Sequence, residues 1–122
     1  MKGSGNLIAL CIMSIRKSII DEIDLLAHPS KQLQYEKDVP MANIPAELLC
    51  GFCDDLYHPK SEQMLSEFTE EELKGLAHLY GVLCEAASSN ASSVIELVKQ
   101  PKWRAVMVVA KELNARYARS DT

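Results

Sequence analysis

Apolar side chains recur every three or four residues along most of the chain, most clearly between Phe68 and Ser89. This spacing predicts a helix over residues 69–88. Thr69 is a favourable N-cap, and Glu72 three residues later completes a capping box. The apolar positions cover most of the helix circumference: Leu73, Leu76, Ala77, Leu79, Tyr80, Val82, Leu83, Cys84, Ala86 and Ala87. Such a helix usually packs on several sides, so we expect it to be the central helix of the fold.

A first long helix is predicted over residues 7–27. Isoleucines follow each other in steps of four and three and form one apolar seam, continued by a leucine: Ile8, Ile12, Ile15, Ile19, Ile23 and Leu26. The solvent-facing side is assigned to polar residues: Arg16, Lys17, Asp21, Glu22 and Asp24. Pro29 ends this helix, because the residue before a proline is disfavoured in helical geometry.

Most of the remaining chain is predicted to be helical as well. A proline or a capping residue marks the start of each further helix, at 44–57, 61–67, 94–99 and 101–116. Residues 30–43 show no clear period, so we expect a long irregular segment with at most a short helix at 31–36. Trp103 is expected in the core. No stretch alternates like a β-strand, so the predicted fold is an all-α irregular or orthogonal bundle of about five to seven helices.

Length and composition predict one domain over residues 1–122, with flexible ends at 1–5 and 120–122. The formal net charge of −4 argues against general binding to nucleic acids or anionic membranes. The apolar run at 7–13 is too short to span a membrane. A chain of this size does not need its four cysteines as a disulfide scaffold, so we expect reduced thiols and a cytoplasmic location.

Cys50 and Cys53 form the one motif with catalytic character. A Cys-x-x-Cys pair becomes reactive when its first thiol lies at a helix N-terminus, where the helix dipole lowers the thiol pKa. Cys50 is instead predicted mid-helix, and no strand precedes it as in thioredoxin-like folds. The simpler interpretation is two small, inert side chains buried in the core. A metal site that adds His58 and Cys84 is disfavoured because no second ligand pair occurs at ligand spacing, and no cofactor is expected.

Glu47, Cys50, Cys53 and His58, followed by the helix start at 69–72, resemble the alkylhydroperoxidase D-like (carboxymuconolactone decarboxylase) family. The resemblance implies that the cysteine pair reduces peroxides with the help of a nearby His and Glu. Cys50 and Cys53 would then be the redox thiols and His58 the proton relay. His58 lies one residue further from the second cysteine than in the family, which rotates the imidazole by roughly 100° on a helix.

Outward positions between Glu47 and Glu72 are mostly acidic, whereas those from Lys99 onward are mostly basic. Ordinary solvated helix faces also produce this pattern. A more specific interpretation is an acidic face that binds a basic partner through charge complementarity. The residues expected to contact that partner are Asp54, Asp55, Glu62, Glu67, Glu70 and Glu71.

Four runs resemble small all-α bacterial immunity proteins, the antidotes of contact-dependent growth inhibition and related toxin systems: 44–49 (IPAELL), 54–59 (DDLYHP), 68–76 (FTEEELKGL) and 101–103 (PKW). The resemblance implies tight one-to-one binding of a cognate toxin, often a basic nuclease, without catalysis by the immunity protein. We therefore expect a toxin-binding protein, with a thiol peroxidase or disulfide reductase as the alternative. A homodimer through the isoleucine seam is a third interpretation.

Overall fold

A computed structural model describes the backbone of residues 2–120 and the side chains of residues 15–119. The helices are α1 (Lys2–Ala27), α2 (Pro29–Asp38), α3 (Ile44–Gly51), α4 (Glu62–Glu67), α5 (Glu70–Ala86), α6 (Val94–Val98) and α7 (Pro101–Ser120). A π-helical segment at Phe52–Leu56, here called the π-turn, continues α3. Over this range there is no strand, which confirms the predicted all-α single-domain bundle. Flexible ends were predicted at 1–5 and 120–122. Of these residues, 1, 121 and 122 lie outside the described range, and residues 2–5 belong to α1.

The core forms where α7 packs along both α1 and α5. Trp103 is fully buried, as predicted, together with Val106, Ala110, Leu113 and Tyr117 from the same helix. From α1 the buried residues are Ile19, Ile23, Leu26 and Ala27. The isoleucine seam is therefore confirmed for its described residues. Their side chains pack against other helices of the same chain, so this part of the seam is not an open surface for a second copy. Ile8 and Ile12 lie outside the described side chains, and α1 begins at Lys2, earlier than predicted.

Helix α5 buries one face rather than most of its circumference. Its buried residues are Leu76, Leu79, Leu83 and Ala86. Several positions predicted to be apolar contacts are exposed instead: Ala77, Tyr80, Cys84 and Ala87. The sequence pattern predicted that too much of the circumference of α5 is buried, because small apolar side chains and tyrosine are also tolerated at a helix surface. A Cβ at Gly75 would lie 2.7 Å from Leu113 Cδ2, so the glycine permits the close approach of α5 to α7.

The segment expected to be irregular, residues 30–43, is largely helical because α2 spans Pro29–Asp38. Gln32 in this helix is fully buried. Its amide nitrogen donates to the carbonyl oxygens of Leu25 and Leu26 at 3.0 and 3.1 Å, and its amide oxygen accepts from Trp103 Nε1 at 3.2 Å. A buried polar side chain with satisfied hydrogen bonds fixes where α2 lies against α1 and α7.

Arg16, predicted to face solvent, instead joins four helices. Its guanidinium donates to both carboxylate oxygens of Glu72 at 3.0 and 2.8 Å, and to the carbonyl oxygen of Glu67 at 2.9 Å. The rings of Phe68 and Tyr117 lie against the same group, with centroids 5.0 and 5.4 Å from its central carbon. The predicted capping box is confirmed, so the Glu72 carboxylate also accepts from the backbone N–H of Thr69 at 2.8 Å. One carboxylate thus serves both the helix cap and the tertiary contact.

Replacing Arg16 with methionine should lower the free energy of unfolding by about 2–3 kcal/mol, because a partly buried carboxylate loses its bidentate partner. The hydrogen bond from Arg16 holds the pKa of Glu72 below its ordinary 4.5. The stability contributed by this pair is therefore present above pH 4.5 and is lost as pH falls through the lower, folded-state pKa.

Urea unfolding at pH 7 and in acid measures both effects. Lys17→Met is the matched control, because Lys17 pairs with Asp21 on an exposed surface, and it should cost no more than about 0.5 kcal/mol. Equal losses for the two variants would show that the Arg16 contacts do not hold the fold together.

Candidate functional site

The candidate site is built on α3 and the π-turn. Asn43 caps α3 by accepting the backbone N–H of Ala46 at 3.2 Å. The predicted single helix over 44–57 changes to π geometry after Gly51, and the turn closes with Tyr57 N–H donating to the Phe52 carbonyl oxygen at 2.8 Å. The wider turn alters the angular spacing of the side chains that follow it, and such turns are frequent at functional sites.

Three carboxylates line a pocket of about 260 Å³ between α1, α2, α3 and the π-turn, here called the acidic pocket. Each element contributes at least one polar side chain to its lining: Glu22, Tyr35, Glu47 and Asp55. A neighbouring pocket of about 300 Å³ shares Glu47, Gly51 and Asp55, and is also lined by Ala46, Cys50 and Asp54. Two adjoining concave surfaces of this protein are therefore dominated by negative charge.

Glu22 is the electrostatic centre of the acidic pocket. Burial raises its pKa from the ordinary 4.5 to about 7, with further upward contributions from the charges of Asp55 and Glu47. A Cβ on Gly51 would lie 3.6 Å from Glu22 Oε2, so the glycine backbone passes directly beside the carboxyl group. Near neutral pH this carboxyl group is therefore divided between its protonated and ionised forms.

The neighbouring carboxylate, Glu47, is held in place by a tyrosine. Tyr35 on α2 donates its hydroxyl hydrogen to Glu47 Oε2 at 2.9 Å. The hydrogen bond raises the pKa of Tyr35, because ionisation would place two negative charges together. The hydrogen bond thus orients the Glu47 carboxylate, and the tyrosine brings no positive charge into the pocket.

Basic side chains with described ion pairs lie away from the acidic pocket. Arg16 pairs with Glu72, and Lys17 pairs with Asp21. Lys31 and His28 approach Asp24. None of the contributions that shift the pKa of Glu22 comes from a positive charge. Among the described side chains, the carboxylates that line the acidic pocket have no ion-pair partner, whereas Asp21, Asp24 and Glu72 each have one.

The six residues expected to contact a partner lie on three different elements, the π-turn, α4 and α5. Asp54 and Asp55 are exposed beside the acidic pocket. Glu62, Glu70 and Glu71 are exposed at the starts of α4 and α5. Glu71 lines a different pocket, of about 270 Å³, together with Arg116 and Tyr117.

Glu67 is already engaged inside the protein, because its carboxylate accepts the backbone N–H of Arg16 at 3.0 Å. Glu22 is the residue that sequence analysis missed, since it was assigned to solvent. It lies three residues after Ile19 and four before Leu26, and this position at the edge of the apolar seam was the available signal.

The thiols are not arranged as expected. Cys50 and Cys84 are exposed and Cys53 is partly buried, so the expectation of inert core filling is wrong for Cys50. Burial raises the pKa of Cys53 from 9.0 to about 12, and the neighbouring Cys84 adds to this shift. His58 follows the extended residue Tyr57 and is exposed, and it is not among the groups that perturb Cys53.

A raised thiol pKa is the opposite of what an attacking redox cysteine requires. The described side chains contain no set of three His, Cys, Asp or Glu residues placed to hold a metal ion. No helix among the described residues combines the length and apolar character needed to cross a membrane. The raised pKa of Cys53 makes the acidic pocket a better candidate site than the Cys-x-x-Cys motif.

Glu22→Gln should stabilise the protein at pH 8 by about 1–3 kcal/mol and change little below pH 5. The folded-state pKa is raised, so the native state loses stability relative to the unfolded chain as pH rises from 4.5 towards 7. The uncharged amide removes this loss. Urea unfolding at both pH values measures the effect, and Glu112→Gln at an exposed position of α7 is the control. A stabilisation that is the same at both pH values would contradict the raised pKa.

No family model matches this chain, and comparisons with curated proteins and with solved structures found no match either.

Proposed function

We propose that this chain is a non-catalytic binding protein that captures a basic protein partner at the acidic pocket. The observation that supports this most directly is the convergence of Glu22, Glu47 and Asp55 on one concave surface, with the Glu22 carboxyl poised between two protonation states. The pocket can accept the end of one lysine or arginine side chain. Arginine fits best, because a planar guanidinium can donate to two carboxylates at once.

Binding relieves the repulsion among the pocket carboxylates, which is unfavourable in the free protein. Burial, and then the negative charges of Asp55 and Glu47, disfavour the ionised form of Glu22. A cationic side chain in the pocket reverses the balance, because an opposite charge within a few ångströms favours the carboxylate. Glu22 then releases its proton, and the repulsion between carboxylates becomes attraction to the partner. The exposed Asp54 and Asp55 add long-range attraction, which raises the rate of association.

The partner proposed is a cognate protein toxin, a basic nuclease domain, for which this chain is the cytoplasmic immunity protein. A small acidic helical bundle with concave carboxylate surfaces suits inhibition of an enzyme that binds phosphates through basic side chains. In this proposal the chain covers the basic substrate surface of the toxin and performs no chemistry itself. Glu62, Glu70 and Glu71 extend the contact surface along the starts of α4 and α5, whereas Glu67 stays with Arg16.

The test uses the purified protein product of the neighbouring gene as the probe. Reversing Glu47, Asp54 and Asp55 to lysine together should weaken binding by at least about 100-fold, because three attractive contacts become repulsive. Isothermal titration calorimetry measures the affinity. The control carries the same charge change at three exposed positions elsewhere, Asp38→Lys, Glu85→Lys and Glu112→Lys, and should weaken binding only slightly.

Proton release separates this proposal from a nonspecific charge effect. At pH 7 the wild-type protein should release a measurable fraction of a proton per complex, because the pKa of Glu22 is raised to about 7 in the free protein. Calorimetry in two buffers of different ionisation enthalpy reports this number, and Glu22→Gln should abolish the release. Unchanged binding by the Glu47, Asp54 and Asp55 triple variant would refute the acidic pocket as the binding site.

A further inference from the structure

Cys53 on the π-turn lies four residues before Tyr57, and Cys84 on α5 lies four residues after Tyr80. Cys84 is also one of the groups that raise the pKa of Cys53, which places the two thiols near each other. The rings of Tyr57 and Tyr80 pack beside them with centroids 4.9 Å apart. The end of the π-turn and the middle of α5 are therefore in direct contact at this point.

We propose that Cys53 and Cys84 form an intramolecular disulfide when the protein is oxidised. Cys50 is the competing partner suggested by the Cys-x-x-Cys spacing, but it lies one helical turn before Cys53 on α3. Side chains three apart on a regular α-helix hold their Cβ atoms roughly 5–6 Å apart, so a Cys50–Cys53 disulfide, which needs about 3.5–4.5 Å, would require the backbone there to move. Cys53 and Cys84 lie on separate elements, so helix spacing does not set their separation.

The exposure of the two sulfurs sets the order of the reaction. Cys84 is exposed, so its thiolate attacks an oxygen of hydrogen peroxide, which breaks the O–O bond and leaves a sulfenic acid and one water. Cys53 is partly buried and meets peroxide less readily. In a second, slower step the Cys53 thiol gives up its proton, which its raised pKa makes difficult, and its sulfur attacks the Cys84 sulfur. The S–O bond breaks, and the hydroxide leaves with the Cys53 proton as a second water. Two thiols are oxidised and one peroxide is reduced.

The disulfide would tie the π-turn to α5. The π-turn carries Asp54 and Asp55, which are exposed beside the acidic pocket. The bridge closes a loop of the chain from residue 53 to residue 84, and this reduces the conformational freedom of the unfolded state. The oxidised protein should therefore melt about 5–15 °C higher than the reduced protein.

Peptide mapping gives a direct test on the full chain carrying Cys11→Ser, which removes the one cysteine whose side chain lies outside the described range. The reduced protein is treated with hydrogen peroxide, its remaining thiols are alkylated, and it is digested with trypsin without reduction. Cleavage after Lys37, Lys60, Lys74 and Lys99 places Cys50 and Cys53 on one peptide, 38–60, and Cys84 on another, 75–99. The expected product is a cross-link between these two peptides.

Single substitutions identify the sulfurs. Cys50→Ser should keep the cross-link and the rise in melting temperature, whereas Cys53→Ser and Cys84→Ser should abolish both. The inference is overturned by a disulfide within peptide 38–60, by a Cys84-linked dimer, or by Cys84 sulfinic acid as the main product with Cys53 still reduced. A Cys50→Ser protein that no longer forms the cross-link would also overturn it.

Discussion

The tertiary structure depends on the Arg16 guanidinium, where α1 meets α4, α5 and α7. Its in-plane donors are used by the Glu72 carboxylate and the carbonyl oxygen of Glu67, while aromatic rings cover its faces. A partly buried charge is tolerated only when its donors are satisfied, and a planar guanidinium satisfies several in fixed directions. This geometry sets how the long first helix lies against the others, and thereby where Glu22 on that helix faces α3.

Glu72 and Glu22 show opposite outcomes for a carboxylate at a helix junction. A hydrogen bond from Arg16 lowers the pKa of Glu72, whereas burial and two neighbouring carboxylates raise the pKa of Glu22. The first arrangement stabilises the fold. The second costs stability at neutral pH, and an external cation can relieve it. Shifts of this kind cluster at functional sites, and this supports the acidic pocket as a binding surface.

The thiols illustrate how spacing along the chain and proximity in space can disagree. Cys50 and Cys53 share a motif spacing, but Cys84 on α5 raises the pKa of Cys53 more than Cys50 does. The change from α to π geometry after Gly51 and the packing of Tyr57 against Tyr80 bring those elements together. Neither feature leaves a periodic signal, because each arises from contacts between residues distant in sequence.

The sequence by itself determined the local structure. Apolar periodicity, the Thr69–Glu72 capping box and the prolines located most of the helices and the all-α class, because these signals act within a few residues. Only the tertiary structure decided which polar residues leave the solvent: Arg16 and Glu22 looked equally solvent-facing but are partly buried, and the fully buried Gln32 lay in a segment expected to be irregular. Burial and charge neighbours depend on how helices pack, and they create both the junction at Arg16 and the shifted pKa of Glu22.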